Sequence, residues 1–162
     1  MLKNRIPDPE KLRLRMAGLC SKSEQCTSDI RLKLRKAGLS ASQSEEIIEY
    51  LTEMKFLSDE RYARAFASYK VRFSAWGKLK IRAYLAQKRI SSEYISDALD
   101  RVDAADYSEA LDRAARSKAK ELDIHNREER QKLYRSLLSR GFESGLISAK
   151  INQLAEEEDE SS

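Results

Sequence analysis

Glycine and proline are scarce in this chain of 162 residues, which contains five Gly and two Pro. Both prolines, Pro7 and Pro9, stand at the beginning. A fold rich in β-strands needs many turn residues, so their scarcity argues against one. The common residues are instead Ala, Leu, Arg, Lys, Glu and Ser, which favour helix. The composition therefore predicts an all-α protein.

The groups that catalysis and metal binding require are also sparse. There is a single histidine, His125, and the two cysteines, Cys20 and Cys26, do not have the spacing of a zinc site. Neither a Gly-rich phosphate loop nor a carboxylate pair at an apolar site occurs. We therefore predict no enzyme activity, no catalytic residue, no cofactor and no metal. We interpret Cys20 as a buried thiol and His125 as part of a surface linker.

Long apolar runs are missing as well. None approaches the ~18 residues that a membrane span needs, and residues 1–9 lack the apolar core of a signal peptide. We expect a cytoplasmic monomer with no membrane partner.

Acidic residues are absent from one long stretch, residues 61–92, which carries nine basic residues. The remaining 130 residues carry 22 basic and 27 acidic residues. A face that is merely solvated usually interleaves both signs, so this run favours a surface for a polyanion or an acidic partner, with a solvated face as the alternative. The predicted contact residues are the basic side chains on the flanks of its helices: Lys70, Arg72, Lys78, Lys80, Arg82, Lys88 and Arg89.

Arg31, Arg35 and Trp76 are additional candidates for this surface. Trp76 lies beside Gly77 at a predicted helix junction, where a half-exposed ring is expected. Four aromatic residues before it are spaced by four, three and four, and we interpret them as core packing: Tyr62, Phe66, Tyr69 and Phe73.

An internal repeat of about 51 residues organises the chain. Segments 30–39, 81–90 and 133–142 align so that five apolar columns recur: Ile30, Ile81, Leu133; Leu34, Leu85, Leu137; Leu39, Ile90, Phe142; Ile48, Leu99, Ile151; Leu51, Val102, Leu154. The spacing within each copy is helical and predicts nine helices. We expect three tandem three-helix repeats in an elongated, curved array, with a compact bundle as the alternative.

The predicted organisation is an N-terminal extension (1–9), three repeats (10–57, 58–104 and 105–155) and an acidic tail (156–162) that we expect to be disordered. Helix ends are indicated by N-caps at Ser58, Ser91 and Asn126, by a capping box of Ser42 with Glu45, and by Gly38 and Gly141 as left-handed C-terminal caps.

Two blocks of this sequence, FLSDERYARAF (56–66) and WGKLKIRAYLAQKRI (76–90), resemble the signature of the RecX regulatory protein family. The residues that carry the first block are Phe56, Leu57, Asp59, Glu60, Arg61, Tyr62 and Ala63. Those of the second block are Gly77, Ile81, Arg82, Leu85, Lys88 and Ile90. One departure is Arg89, where the family usually has glycine, so this helix needs another way to end. The resemblance extends over roughly residues 10–155.

The resemblance implies tandem three-helix repeats and a regulator that is not an enzyme. It implies binding to RecA and to RecA–DNA filaments, in the filament's helical groove, and modulation of the recombinase, ATPase and coprotease activities of RecA, with inhibition as the expected sign. Such a protein acts in DNA recombination, DNA repair and the SOS response. Single- and double-stranded DNA would be bound electrostatically and without sequence specificity. The residues alone also admit a stand-alone DNA- or RNA-binding module or a structural helical-repeat adaptor.

Overall fold

The structure is a computed structural model in which residues 6–162 are described. This range contains nine helices: α1 (Pro9–Lys22), α2 (Thr27–Lys36), α3 (Ala41–Glu53), α4 (Asp59–Ser74), α5 (Lys78–Gln87), α6 (Ser92–Asp100), α7 (Ala104–Ala119), α8 (Arg127–Ser139) and α9 (Ser144–Glu160). No strand occurs between residues 6 and 162, and the predicted all-α fold is confirmed. None of these helices is both long and apolar enough to cross a membrane.

The helices form an array of three tandem three-helix repeats. Helices α1 and α2 pack on α3, helices α4 and α5 pack on α6, and helices α7, α8 and α9 pack on one another. The buried side chains of the first repeat form one cluster, except for Cys26, which belongs to the cluster that the second and third repeats share. Contact between α4 and α7 joins these two repeats.

The five apolar columns of the repeat form the core. Ile30 and Ile81 are completely buried, and Leu34, Leu85 and Leu137 are as well. Val102 is the one member of the columns that is only partly buried. The predicted register of the three copies is therefore confirmed.

The N-caps at Ser58, Ser91 and Asn126 are confirmed, because each side chain accepts hydrogen bonds from the first turn of its helix. The capping box predicted at Ser42 and Glu45 is wrong. The box is formed by Ser40 and Gln43, whose side chains each accept from the other's backbone N–H at 3.1 Å. Ser42 already lies inside α3.

The interpretation of the α4 aromatic residues as core is wrong for two of the four. Tyr69 and Phe73 are 57% and 66% exposed, while Tyr62 and Phe66 are half-buried. The buried side of α4 consists of small side chains at spacings of four: Ala63, Ala67 and Val71. Helix α4 packs against both α6 and α7, and small residues allow that close approach on two sides.

The acidic end is not disordered up to residue 160, because α9 continues to Glu160. Arg116 on α7 holds this end by donating to the carboxylate of Glu157 at 2.9 Å, and Gln153 donates to Glu157 at 3.0 Å. The burial predicted for Cys20 is also only partial, and Cys26 is the fully buried thiol.

Candidate functional site

Two residues of the first signature block, Asp59 and Arg61, join the first repeat to the second. Asp59 accepts from the backbone N–H of Thr27, the first residue of α2, at 2.7 Å. Arg61 donates to the carboxylate of Glu24 at 3.0 Å and to the backbone carbonyl of Lys55 at 2.8 Å. These side chains therefore fix the angle between the two repeats and are engaged within the protein.

Lys88, a predicted contact residue, belongs to the same joint. Its Nζ donates to Asp29 of α2 at 2.7 Å, and both side chains are about 30% exposed. The hydrogen bond to Asp29 raises the pKa of Lys88 above its ordinary value. Lys88 is therefore ion-paired within the protein, and its role as a contact residue stays a prediction.

A cluster of three aromatic rings and two lysines lies on the second repeat, on the face of α4 and α5 next to Lys88. We call it the Trp76 cluster, and its members are Phe66, Lys70, Trp76, Lys80 and Tyr84. The rings of Phe66 and Tyr84 stack at 4.6 Å, and Trp76 meets both edge-on at about 6 Å. The Nζ atoms of Lys70 and Lys80 lie 4.5 Å and 4.3 Å from the centre of the Trp76 ring.

The Trp76 cluster carries positive charge that no acidic side chain within residues 6–162 neutralises. Neither Lys70 nor Lys80 forms an ion pair within residues 6–162, so the rings hold two uncompensated cations in place. Trp76 is half-buried, as expected from its position at the α4–α5 junction. Such a pair of ordered, unneutralised lysines can bind phosphate or carboxylate oxygens with little loss of side-chain freedom.

A groove of about 550 Å³ separates α2 from the C-terminal end of α5. We call it the inter-repeat groove, and its lining residues are Ser28, Asp29, Arg31, Leu32, Arg35, Gln87, Lys88 and Arg89. It brings Arg31 and Arg35, the additional candidates from the first repeat, beside Lys88 and Arg89. Arg31 is paired with Glu45 at 2.5 Å, and this hydrogen bond raises the pKa of Arg31.

The other three predicted residues are spread along the second repeat. Arg72 lies 3.9 Å from Asp106. Lys78 faces the third repeat, since its Nζ is 5.0 Å from the Tyr107 ring and its backbone N–H donates to the Tyr107 hydroxyl at 3.0 Å. Arg82 is exposed and has no ion pair within the described part of the chain. Lys78 therefore lies beside the third repeat, whereas Arg89 lies beside the first.

Sequence reasoning missed two features of this surface. Leu32 in the groove is 53% exposed, and its position two residues from each of the buried Ile30 and Leu34, on the opposite side of α2, is the signal that could have indicated this. The sequence does not indicate the ion pairs of Asp29 with Lys88 and of Glu45 with Arg31, because the partners are 59 and 14 residues apart. No group of three or more His, Cys, Asp or Glu side chains within residues 6–162 could hold a metal ion.

Together these observations define a helical-repeat protein with a basic aromatic cluster on its second repeat and a basic groove between its first two repeats. Family models described as the second and third three-helix domains of RecX match residues 58–99 and 105–151. The chain is 31% identical over 147 residues to "Regulatory protein RecX" of Prosthecochloris aestuarii, covering 91% of this chain and 95% of that protein. It is 34% identical over 134 residues to the protein of the same name from Pseudomonas fluorescens, covering 83% and 85%.

The chain belongs to the RecX family, which is a family of regulatory proteins and not of enzymes. It spans 65% of the longer RecX of Clostridium perfringens strain 13, at 29% identity over 85% of this chain. The crystal structure of RecX from Lactobacillus salivarius has the same fold, with a TM-score of 0.78 and 23% identity over 91% of this chain and 96% of that one. A second RecX crystal structure gives a TM-score of 0.75 at 24% identity, over 86% and 70%.

Proposed function

We propose that this protein binds RecA and RecA–DNA filaments, lies in the helical groove of the filament and inhibits the recombinase, ATPase and coprotease activities of RecA. Its membership in a family of regulatory proteins supports a role of this kind. The observation that carries the proposal is the Trp76 cluster, where Lys70 and Lys80 are ordered against one indole ring and remain unneutralised within the described residues.

Phosphate contact is the simplest use of these two lysines. A protein cation that neutralises a DNA phosphate releases a condensed counterion, and this release drives binding without regard to base sequence. Lys70 and Lys80 are already confined by the Trp76 ring, so binding loses less side-chain entropy than it would with mobile lysines. Arg82 on the next turn of α5 is exposed and adds a third cation to the same repeat.

Inhibition without catalysis needs a difference in affinity between two states of the filament. A bound protein shifts such an equilibrium only by as much as it prefers one state over the other. A three-repeat array joined by side chains such as Asp59 and Arg61 presents its binding groups at fixed spacings. It would therefore favour the filament geometry that matches those spacings.

The test is a titration of the protein into preformed RecA filaments while ATP hydrolysis is measured. Wild type should inhibit below one protein per RecA. Lys70→Ala with Lys80→Ala should raise the half-maximal concentration by about tenfold or more, with helical content unchanged by circular dichroism. The matched control is Lys132→Ala with Arg135→Ala on α8, since both side chains are exposed and have no ion pair among the described residues. Equal effects of the two double variants would show that only net charge matters.

The salt dependence of DNA binding, measured beside RecA ATP hydrolysis, separates this proposal from a stand-alone nucleic-acid-binding module. If Lys70, Lys78, Lys80 and Arg82 reach phosphates, log K for single-stranded DNA should fall with log salt at a slope of about −3, from ~0.7 per contact. A protein that binds DNA with this slope but leaves RecA ATP hydrolysis unchanged would be such a module instead. A flat salt dependence would exclude contact of this face with the DNA backbone.

A further inference from the structure

The inter-repeat groove differs chemically from the Trp76 cluster. Two of its four cations are already neutralised, Arg31 by Glu45 and Lys88 by Asp29. Arg35 and Arg89 are exposed and have no ion pair within residues 6–162. A chain of phosphates would meet the carboxylate of Asp29 in this space, whereas one or two carboxylates would find two open guanidinium groups.

Leu32 adds an apolar contact to the groove, since its side chain lines the space and is 53% exposed. A DNA backbone gains little from a leucine, but a peptide carrying an apolar side chain would bury it. The walls come from two repeats, α2 on one side and the end of α5 on the other, so a segment bound here would contact both repeats.

Arg89 stands in a backbone conformation that suits glycine. Its φ is 57°, in the left-handed region, which costs about 1–2 kcal/mol for a residue with a side chain. The register-equivalent positions in the first and third repeats are Gly38 and Gly141, with φ of 100° and 94°. The middle repeat alone keeps a strained arginine where the other two have glycine. Strain of this kind at a surface groove motivates a functional assignment for the guanidinium.

We propose that the inter-repeat groove binds an acidic segment of the protein partner that also carries an apolar side chain, with Arg35 and Arg89 receiving its carboxylates and Leu32 its apolar group. The Trp76 cluster then contacts DNA and the groove contacts protein. The assignment rests on the proposed function, because the partner is taken to be the protein of the RecA filament.

The experiment compares two affinities for each variant. The first is the affinity for a labelled single-stranded oligonucleotide alone, measured by fluorescence anisotropy, and the second is the half-maximal concentration for inhibiting RecA filaments formed on the same oligonucleotide. Arg35→Ala with Arg89→Gly removes both guanidinium groups and relieves the backbone strain, so a loss of function is not a loss of folding. It should weaken inhibition about tenfold while oligonucleotide affinity stays within about twofold. Leu32→Ala should also weaken inhibition and leave oligonucleotide affinity unchanged.

Each other result is decisive. A parallel loss of both affinities in the double variant would make the groove a DNA contact and overturn the assignment. Unchanged inhibition by the double variant, beside active wild type, would show that the groove binds nothing on the filament. Wild type that leaves RecA unaffected would refute the proposed function itself, and the assignment of the groove with it.

Discussion

The backbones of Gly77 and Gly141 are in direct contact, and this contact joins the second repeat to the third. The N–H of Gly77 donates to the carbonyl of Arg140 at 2.7 Å, and the N–H of Leu79 donates to the carbonyl of Gly141 at 3.0 Å. A Cβ atom on Gly77 would overlap the carbonyl group of Gly141. The glycine of the second signature block is therefore explained by close approach of two backbone segments, since its own φ is −80°.

Gly77→Ala should destabilise the protein by about 1–3 kcal/mol, because the added methyl group forces α5 away from the end of α8. The measurement is the free energy of unfolding in urea. Gly18→Ala, inside α1 with open space around its Cα, is the control and should stabilise by about 0.5–1 kcal/mol. Equal stability of the Gly77 variant and wild type would mean that the repeats are not joined through this contact.

Arg89→Gly should stabilise the protein by about 0.5–1 kcal/mol, since glycine adopts the left-handed conformation without strain but gains more freedom in the unfolded chain. The urea midpoint should rise. Gly38→Ala, at the equivalent position with φ of 100°, should shift it in the opposite direction. A lower midpoint for the Arg89 variant would show that its side chain stabilises the fold and would remove the argument from strain.

Two phenylalanines seven residues apart on α4 should behave differently. Phe66 contacts the rings of Tyr62, Trp76 and Tyr84, with centroids 4.6–6.0 Å away, so Phe66→Ala should cost about 2–3 kcal/mol. Phe73 is 66% exposed, and Phe73→Ala should change the stability by no more than about 0.5 kcal/mol. Chemical denaturation of both variants checks this, and similar costs would contradict the observed difference in burial between Phe66 and Phe73.

The ion pairs that join Asp112 on α7 to Arg116 and to Lys150 on α9 should weaken in acid. Hydrogen bonds from Arg116, and secondarily from Lys150, hold the pKa of Asp112 below its ordinary value. Because the folded pKa is the lower one, this stabilisation is present above the unfolded pKa of about 3.9 and is lost as pH falls through the folded pKa.

Asp112→Asn should therefore be less stable than wild type at pH 7, and the difference should shrink below about pH 4. Urea unfolding at pH 7, 5 and 3 measures this. The control is Asp100→Asn, whose carboxylate is exposed at the end of α6 and has no ion pair within the described residues. A difference that is independent of pH would exclude the Arg116 and Lys150 interactions as its source.

The residues that make the family recognisable are mostly not those that a partner would meet. Asp59, Arg61 and Lys88 bind the first repeat, and Gly77 contacts the third. The signature thus records how the repeats are joined. The surface proposed for binding combines one signature residue, Arg82, with Lys70 and Lys80, which lie between or beside the signature positions.

The sequence by itself determined the helical class and the repeat. Five apolar columns recurring at 51 and 52 residues demand that their members share equivalent core positions, and residues such as Leu34, Leu85 and Leu137 are indeed fully buried. Local signals also located most helix ends, because a Ser or Asn cap and a glycine with positive φ act within one turn. The basic stretch could also be found from the sequence, because counting charges along the chain requires no knowledge of tertiary contacts.

Tertiary structure decided which side chains are free. Helical spacing predicted that the four aromatic residues between positions 62 and 73 are buried. Because α4 packs against two helices, its buried residues are instead Ala63, Ala67 and Val71. Charge counting could not show that Asp29 neutralises Lys88 across 59 residues, or that Arg35 and Arg89 share one groove. Such pairings depend on how separate repeats are oriented, and the periodicity within each repeat carries no information on that orientation.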